Sequence, residues 1–393
     1  MGFMSAGCAD VGDPEGETAE GEDVQDYNSD PCANTGSEWG LIRCGEELFE
    51  DETFGGNGRR CDTCHPSDDG RSGTLSPADV ENKFRYNPNN ALFRHDAADV
   101  IGGNTFNRIR QHATILVDMP LPANVSITGS SARNVILARG IPTTMNTPAM
   151  DGVLMYDGRA PNLAEQARGA IAGHAQSTDV TTTELNAISA FEQRLFNRNN
   201  LKFFVKYGTE LKMPLGSSDA EKRGRLFFIA DGQTDPDMVG ENPQAICGWC
   251  HSGDNLSGTS AFFSANVAPV PIPEGHRFLS VLVSELNSMN NPRYNFEFRM
   301  PDGTVTTVNS PDPGRALITG IAPMANQFKI NSLWGVRFTA PYFHDNSAKT
   351  LEAMMNHYDQ ALFILSTNNP RHPPVIDLTE QQKADIIAYL KLL

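Results

Sequence analysis

Two five-residue strings concentrate the chemistry of this sequence: Cys61-Asp62-Thr63-Cys64-His65 and Cys247-Gly248-Trp249-Cys250-His251. Two cysteines about one helical turn apart can add across the two vinyl groups of a porphyrin, and the histidine that follows is then aimed at the iron. A single Cys-x-x-Cys is also a redox dithiol or half of a zinc site. Two copies, each ending in His, fit neither, and no further Cys-x-x-Cys or His-x-x-x-His completes a zinc set. The chain is therefore expected to carry two covalently bound haem c groups, held by Cys61, Cys64 and His65 and by Cys247, Cys250 and His251.

Elements that would position these strings recur in the same order. Gly45-Glu46-Glu47-Leu48-Phe49 precedes the first and Gly224-Arg225-Leu226-Phe227-Phe228 the second, each an amphipathic helix leading through a loop to the cysteines. Further on, Tyr156-Asp157-Gly158-Arg159 leads to Leu163-Ala164-Glu165-Gln166, and His344-Asp345-Asn346-Ser347 leads to Leu351-Glu352-Ala353-Met354. The Asp-to-Leu offset is six residues in both copies. Such self-similarity implies a duplicated module. The expected fold is mostly α: two cytochrome c-like haem domains in tandem, 38–215 and 216–393, with long loops and little strand, behind an acidic tether at 1–37. The span 183–207 has the apolar spacing of one long helix. Thr379-Glu380-Gln381-Gln382 opens the last helix with a capping-box pattern, and the Pro- and Asn-rich stretches 86–90 and 290–314 read as loops or insertions.

Composition narrows the setting. A net charge of −17 argues against nucleic acid and would steer a basic electron donor or basic protein substrate. No apolar run reaches the length of a membrane span. Outside the two strings stand Cys8, Cys32 and Cys44. Cys32 and Cys44 are expected to close a small disulfide loop, with buried free thiols as the alternative; haem attachment and a disulfide together point to the periplasm. Cys8, in Met4-Ser5-Ala6-Gly7-Cys8, resembles the end of a lipoprotein signal, although Ser5 stands where Leu is preferred; a lipid anchor at Cys8 is open. Residues 9–30 are rich in Asp, Glu and Gly and lack Lys and Arg, which reads as a solvated tether or a bare tail.

The repeat also says something about the irons. Seven residues past the paired leucines stand Ala170 in the first copy and Tyr358 in the second. If that position faces the iron, Tyr358 closes the second haem while the first keeps an open face, one iron suited to peroxide or oxygen and the other to passing electrons. His357 and Met354 are the alternative ligands, with Tyr358 then a packed aromatic.

The strings Leu333-Trp334-Gly335-Val336-Arg337-Phe338-Thr339-Ala340-Pro341-Tyr342-Phe343-His344-Asp345 and Met155-Tyr156-Asp157-Gly158-Arg159, with both haem motifs in order, resemble the bacterial dihaem cytochrome c peroxidase and MauG family from about residue 38 to the end. The resemblance implies a peroxidatic N-terminal haem and a C-terminal haem whose ligand, Met in the peroxidases and Tyr in MauG, lies 17 residues after the motif proline; here that is Tyr358, after Pro341. It implies calcium held by the carbonyls of Thr339 and Pro341, with Gly140 where the family has a third, Asn ligand. Tyr156 stands where the family usually has a Trp between the haems, a relay or a packed aromatic. Gln166 matches the distal Gln.

One departure bears on mechanism. Where the family places a distal Glu that moves the proton during O–O cleavage, this chain has Gln176, whose amide cannot accept one. His174 is the candidate substitute, a structural histidine the alternative. The histidine that closes the first haem in certain peroxidases is Glu81 here, so an open site is expected unless His95 or His112 serves. The expected activity is reaction with hydrogen peroxide and oxidation of Trp or Tyr side chains on a partner protein. The alternatives are a dihaem cytochrome c peroxidase removing H2O2, a non-enzymatic dihaem electron carrier, or a dioxygen-using oxygenase.

Overall fold

The computed structural model describes residues 32, 35–67, 72–229, 246–251, 253, 255–257, 277–287, 291–368 and 375–393. Cys8 and the stretch 9–30 lie outside them.

Two helix pairs frame the molecule. In the first half α1 (Glu38–Asp51) packs against α6 (Thr182–Glu192). Ser37 caps α1 by accepting from Gly40 N, and Thr181 forms a capping box with Glu184 that starts α6. Each such cap is worth about 1 kcal/mol. The helices cross at Gly45, where a Cβ would lie 1.9 Å from the Ala187 carbonyl oxygen. In the second half α8 (Asp219–Arg225) packs against the last helix of the chain, Glu380–Leu390. They cross at Gly224, where a Cβ would lie 2.0 Å from Asp385 O. Only glycine permits either approach, and the two crossings sit in the stretches that the sequence aligns. Thr379 opens the last helix through the expected capping box with Gln382.

Between these pairs run α2 (Pro77–Tyr86), α3 (Asn107–His112), α4 (Thr147–Met150), α5 (Leu163–Ala170) and α7 (Asn199–Tyr207). After α8 come α9 (Leu351–Thr367) and α10 (Glu380–Leu390). The long helix expected over 183–207 is broken into α6 and α7. At the break the Leu195 carbonyl accepts from Asn146 N at 2.8 Å, and Asn197 N donates to Asn146 Oδ1 at 3.2 Å. Bonds to the α4 cap replace bonds along the helix axis.

The molecule is mostly helical, and its strands lie between the helices. β1 (Thr114–Pro120) pairs antiparallel with β3 (Asn134–Gly140), from Thr114 opposite Gly140 to Pro120 opposite Asn134. β2 (Val125–Ile127) pairs with β5 (Tyr294–Arg299), which forms a hairpin with β6 (Val305–Ser310); β4 (Phe278–Leu279) pairs with β7 (Phe328–Lys329). The stretch 290–314, expected as a loop or an insertion, therefore holds a hairpin. Phe296 and Phe298 of β5 are fully buried against Leu137 of β3 and Leu317, so this sheet has a core of its own.

That sheet, with one strand from before residue 215 and two from after, ties the halves together. So does Arg139, buried with Asp157 and Asp312. Its Nε and Nη2 donate to Asp312 at 2.7 and 2.9 Å, and its Nη1 donates to Asp157. Burial would raise both carboxyls, but Arg139 holds them below their ordinary values. Removing one member of such a group leaves a buried charge uncompensated.

Candidate functional site

Each Cys-x-x-Cys-His string folds into the same turn. Cys64 N and His65 N both donate to Cys61 O, at 3.2 and 3.0 Å; Cys250 N and His251 N donate to Cys247 O, at 3.3 and 2.9 Å. The four cysteines form no disulfide, whereas Cys32 and Cys44 are bonded to each other. Burial raises all four thiols, Cys64 to about 11 and Cys247 to about 12, so they are protonated near neutral pH. The two histidines are held alike. His65 Nδ1 donates to Gly73 O at 2.9 Å, and His251 Nδ1 donates to Leu256 O at 3.0 Å. A carbonyl can only accept, so the proton sits on Nδ1 and Nε2 is left with its lone pair. Burial pushes both imidazoles below their ordinary value, which keeps them neutral. A neutral imidazole fixed through Nδ1 to a backbone carbonyl is what a metal-ligating histidine requires. The residues at both strings fit haem c.

The first string faces a cavity of about 630 Å³. Its walls include Cys61, Cys64, His65, His95, Tyr156, Gln166, Ala170, His174 and Glu192. His174 lies on a π-helical turn, Ile171–Ala175, that continues α5, and its Nδ1 lies 2.5 Å from Asp96 Oδ2. Since the carboxylate accepts, His174 Nε2 is free. Asp96 is 2 % exposed, and its other oxygen takes Arg59 Nη1 at 2.5 Å. Burial would raise this carboxyl, but bonds to His174 and Arg59 hold it below its ordinary value. Arg59 is locked in turn by the carbonyls of Ala91, Leu92, Arg94 and His174. A fixed imidazole, an ionised partner and a free Nε2 can take up a proton and return it.

Gln176 does not line this cavity. It is exposed, in a left-handed conformation at the end of the π-turn, and its Oε1 accepts from Asn57 Nδ2 at 3.0 Å. His95 does line it, and His112 does not. Tyr156 is on the wall; burial and then Asp345 raise its phenol, which is neutral at physiological pH. Thr339 and Pro341 line the same cavity near Gly140. The position where Gly140 would carry a side chain is taken by Asn346, whose Oδ1 would lie 2.2 Å from a Cβ built there and whose Nδ2 donates to His112 O and Ala113 O. Among the described residues, no cluster of three or more His, Cys, Asp or Glu could hold a metal ion. Glu192 shares the wall beside Cys61. Its Oε2 has no hydrogen-bond partner among the described residues, and burial lifts the carboxyl to about 8.

The second string borders an apolar cluster. Cys247 and Tyr358 press against a large apolar cluster that includes Phe227, Phe228, Trp334, Met354 and Tyr389. Burial raises the Tyr358 phenol, and Cys250 and Cys247 add to the shift. His357, next to it on α9, turns elsewhere and bonds Val281 O through Nε2 at 2.7 Å. Asp96, Arg59 and Glu192 were not singled out in the sequence. The one clue to Arg59 is its place two residues before Cys61.

No protein-family model and no curated protein matches the chain. Solved structures do. A MauG-like protein associated with microbial copper homeostasis is 20% identical, with 89% of this chain and 87% of that one aligned at a TM-score of 0.50. The diheme peroxidase BthA from Burkholderia thailandensis is 14% identical, with 89% and 85% aligned at a TM-score of 0.45. At such identity the likeness is one of architecture: this chain has the fold of a MauG-like protein.

Proposed function

We propose that this protein is a periplasmic dihaem c-type oxidoreductase. It would hold one haem at Cys61, Cys64 and His65 and the other at Cys247, Cys250 and His251, use hydrogen peroxide at the first, and oxidise Trp or Tyr side chains of a partner protein by way of the second. When bound, the haem groups supply the reduction of peroxide to water and the one-electron transfers. The observation that carries this reading is the Asp96–His174 pair on the wall of the cavity that His65 faces. Asp96 keeps the His174 proton on Nδ1, so Nε2 can take a proton from peroxide and give it to the departing oxygen, a role worth roughly 10²–10⁴ in rate. Gln166 offers an amide to the same space, and the methyl group of Ala170 leaves it open. Tyr156 provides an oxidisable phenol on the cavity wall, and Tyr358 a phenol in the cluster that Cys247 also borders. Calcium at the Thr339 and Pro341 carbonyls is not needed for any of these roles.

Low-temperature EPR of the ferric protein tests the reading. One high-spin and one low-spin signal are expected. Two low-spin signals would overturn the open first site and favour an electron carrier, with His95, which lines the cavity, as the closing ligand. Adding one equivalent of peroxide should then change the optical spectrum and consume two equivalents of an added electron donor.

A further inference from the structure

One stretch departs from the acidity of the rest of the chain. Residues 193–209 contain Arg194, Arg198, Lys202 and Lys206, spaced four apart, and no acidic residue. On α7, Leu201 and Phe204 are buried in the apolar cluster that carries Tyr358. The opposite face presents Phe203 (49 % exposed) and Tyr207 (61 % exposed), with ring centroids 6.0 Å apart and Lys206 Nζ 5.0 Å from the Tyr207 ring. Lys202 and Lys206 are exposed and make no ion pair with any described residue. Exposed aromatics flanked by unpaired cations form a face that fits an acidic, partly apolar segment.

The chain has such a segment, and it joins the body beside this face. Residues 9–30 hold nine Asp and Glu, no Lys or Arg, and one aromatic residue, Tyr27. They lead into α1, whose first residue, Glu38, is bonded to Arg194 at 2.8 Å; the Cys32–Cys44 disulfide fixes the junction on α1. The cationic run therefore begins at the first residue of α1, which follows the acidic segment by eight residues in sequence. Reach is not limiting, because about 20 extended residues span roughly 70 Å, whereas nine helical residues extend only about 14 Å.

We infer that the outer face of α7 is the docking site for the acidic segment 9–30 of the same chain, with its carboxylates on Lys202 and Lys206 and Tyr27 against Phe203 and Tyr207. This inference stands apart from the reading of the haem sites.

Zero-length carbodiimide crosslinking of the full haem-loaded chain, followed by peptide mass spectrometry, tests it. Intrachain links from Lys202 or Lys206 to carboxyls within 9–30 are expected to exceed those from the exposed Lys222 and Lys349 at least about fivefold. They should fall about tenfold between about 20 mM and about 500 mM NaCl, as screened surface pairs do. Replacing Phe203 and Tyr207 by Ser, with both lysines kept, should lower the yield. Equal linkage to all exposed lysines would overturn the inference. So would links found only between differently isotope-labelled molecules, which would make a second copy the occupant.

Discussion

The two Cys-x-x-Cys-His turns share their backbone bonds and the Nδ1-to-carbonyl hold on the histidine, yet they stand in opposite surroundings. His65 faces a cavity with a polar wall of His174, Asp96 and Gln166, whereas Cys247 of the second string packs against an apolar cluster that Tyr358 also joins. The turn is common to both, and the element that follows makes the difference: Ala170 against Tyr358 at one register position, and a π-turn carrying His174 where α9 runs on as regular helix. On the proposed reading, the turn would hold each haem and the residues that the rest of the half places opposite it would set the reactivity.

The largest effect should come from removing one turn. Cys64→Ser is expected to lower the haem content from two to one per chain and abolish the peroxide reaction, whereas Cys250→Ser should leave a first site that still reacts with peroxide. Pyridine haemochrome counts and stopped-flow spectra check this. Equal loss of reaction from both variants would mean that the sites are not divided as proposed. Next is the cavity wall. His174→Ala should slow the peroxide reaction by about 10²–10³-fold. Asp96→Asn, which keeps the shape but can no longer accept from Nδ1 as a carboxylate, should slow it about tenfold or more. Gln176→Ala should change it less than about twofold, because that side chain bonds Asn57 outside the cavity. Tyr358→Phe should alter only the second site, read as a change in one of the two EPR signals with the rate of the peroxide step retained.

The crossings offer an even-handed test. A methyl group at Gly45 or at Gly224 meets a carbonyl oxygen at about the same distance, so Gly45→Ala and Gly224→Ala should each cost about 1–3 kcal/mol in urea denaturation. A difference of more than about 2 kcal/mol between them would mean that the halves do not pack alike.

Much of this arrangement could be read from the sequence. The two strings, the paired glycine-led helices, the Cys32–Cys44 bond and the Thr379 cap are local patterns, each carried by residues no more than 12 positions apart. What could not be read depends on distant residues. Asp96 meets His174 across 78 positions, and nothing in either neighbourhood announces the pair. The hairpin at 294–310 hid behind flanking Pro and Asn, and Ile115-Leu116-Val117 of β1 is too short an apolar run for its period to separate strand from helix. The break between α6 and α7 comes from Asn146, some fifty residues away, taking the bonds a continuous helix would have made.

A finer contrast between the halves lies on the closing helices. Counting five residues past each crossing, from Ala187 and from Asp385, gives Glu192 on α6 and Leu390 on α10. Both are buried, at 5 % and 3 % exposure. The second half fills this place with an apolar side chain, and the first keeps a carboxyl lifted by burial to about 8. That carboxyl makes stability fall with rising pH. Below the ordinary carboxyl range, folded and unfolded chains both hold the proton and there is no penalty. Between there and about 8 the folded chain retains a proton that the unfolded chain has released, and above about 8 the penalty is complete. At about 1.4 kcal/mol per pKa unit the whole effect is a few kcal/mol. Glu192→Leu should therefore match the wild type near pH 4 and exceed its stability increasingly toward pH 8.5, as read from urea midpoints at each pH. A constant difference across that range would mean that Glu192 is not held protonated in the folded chain.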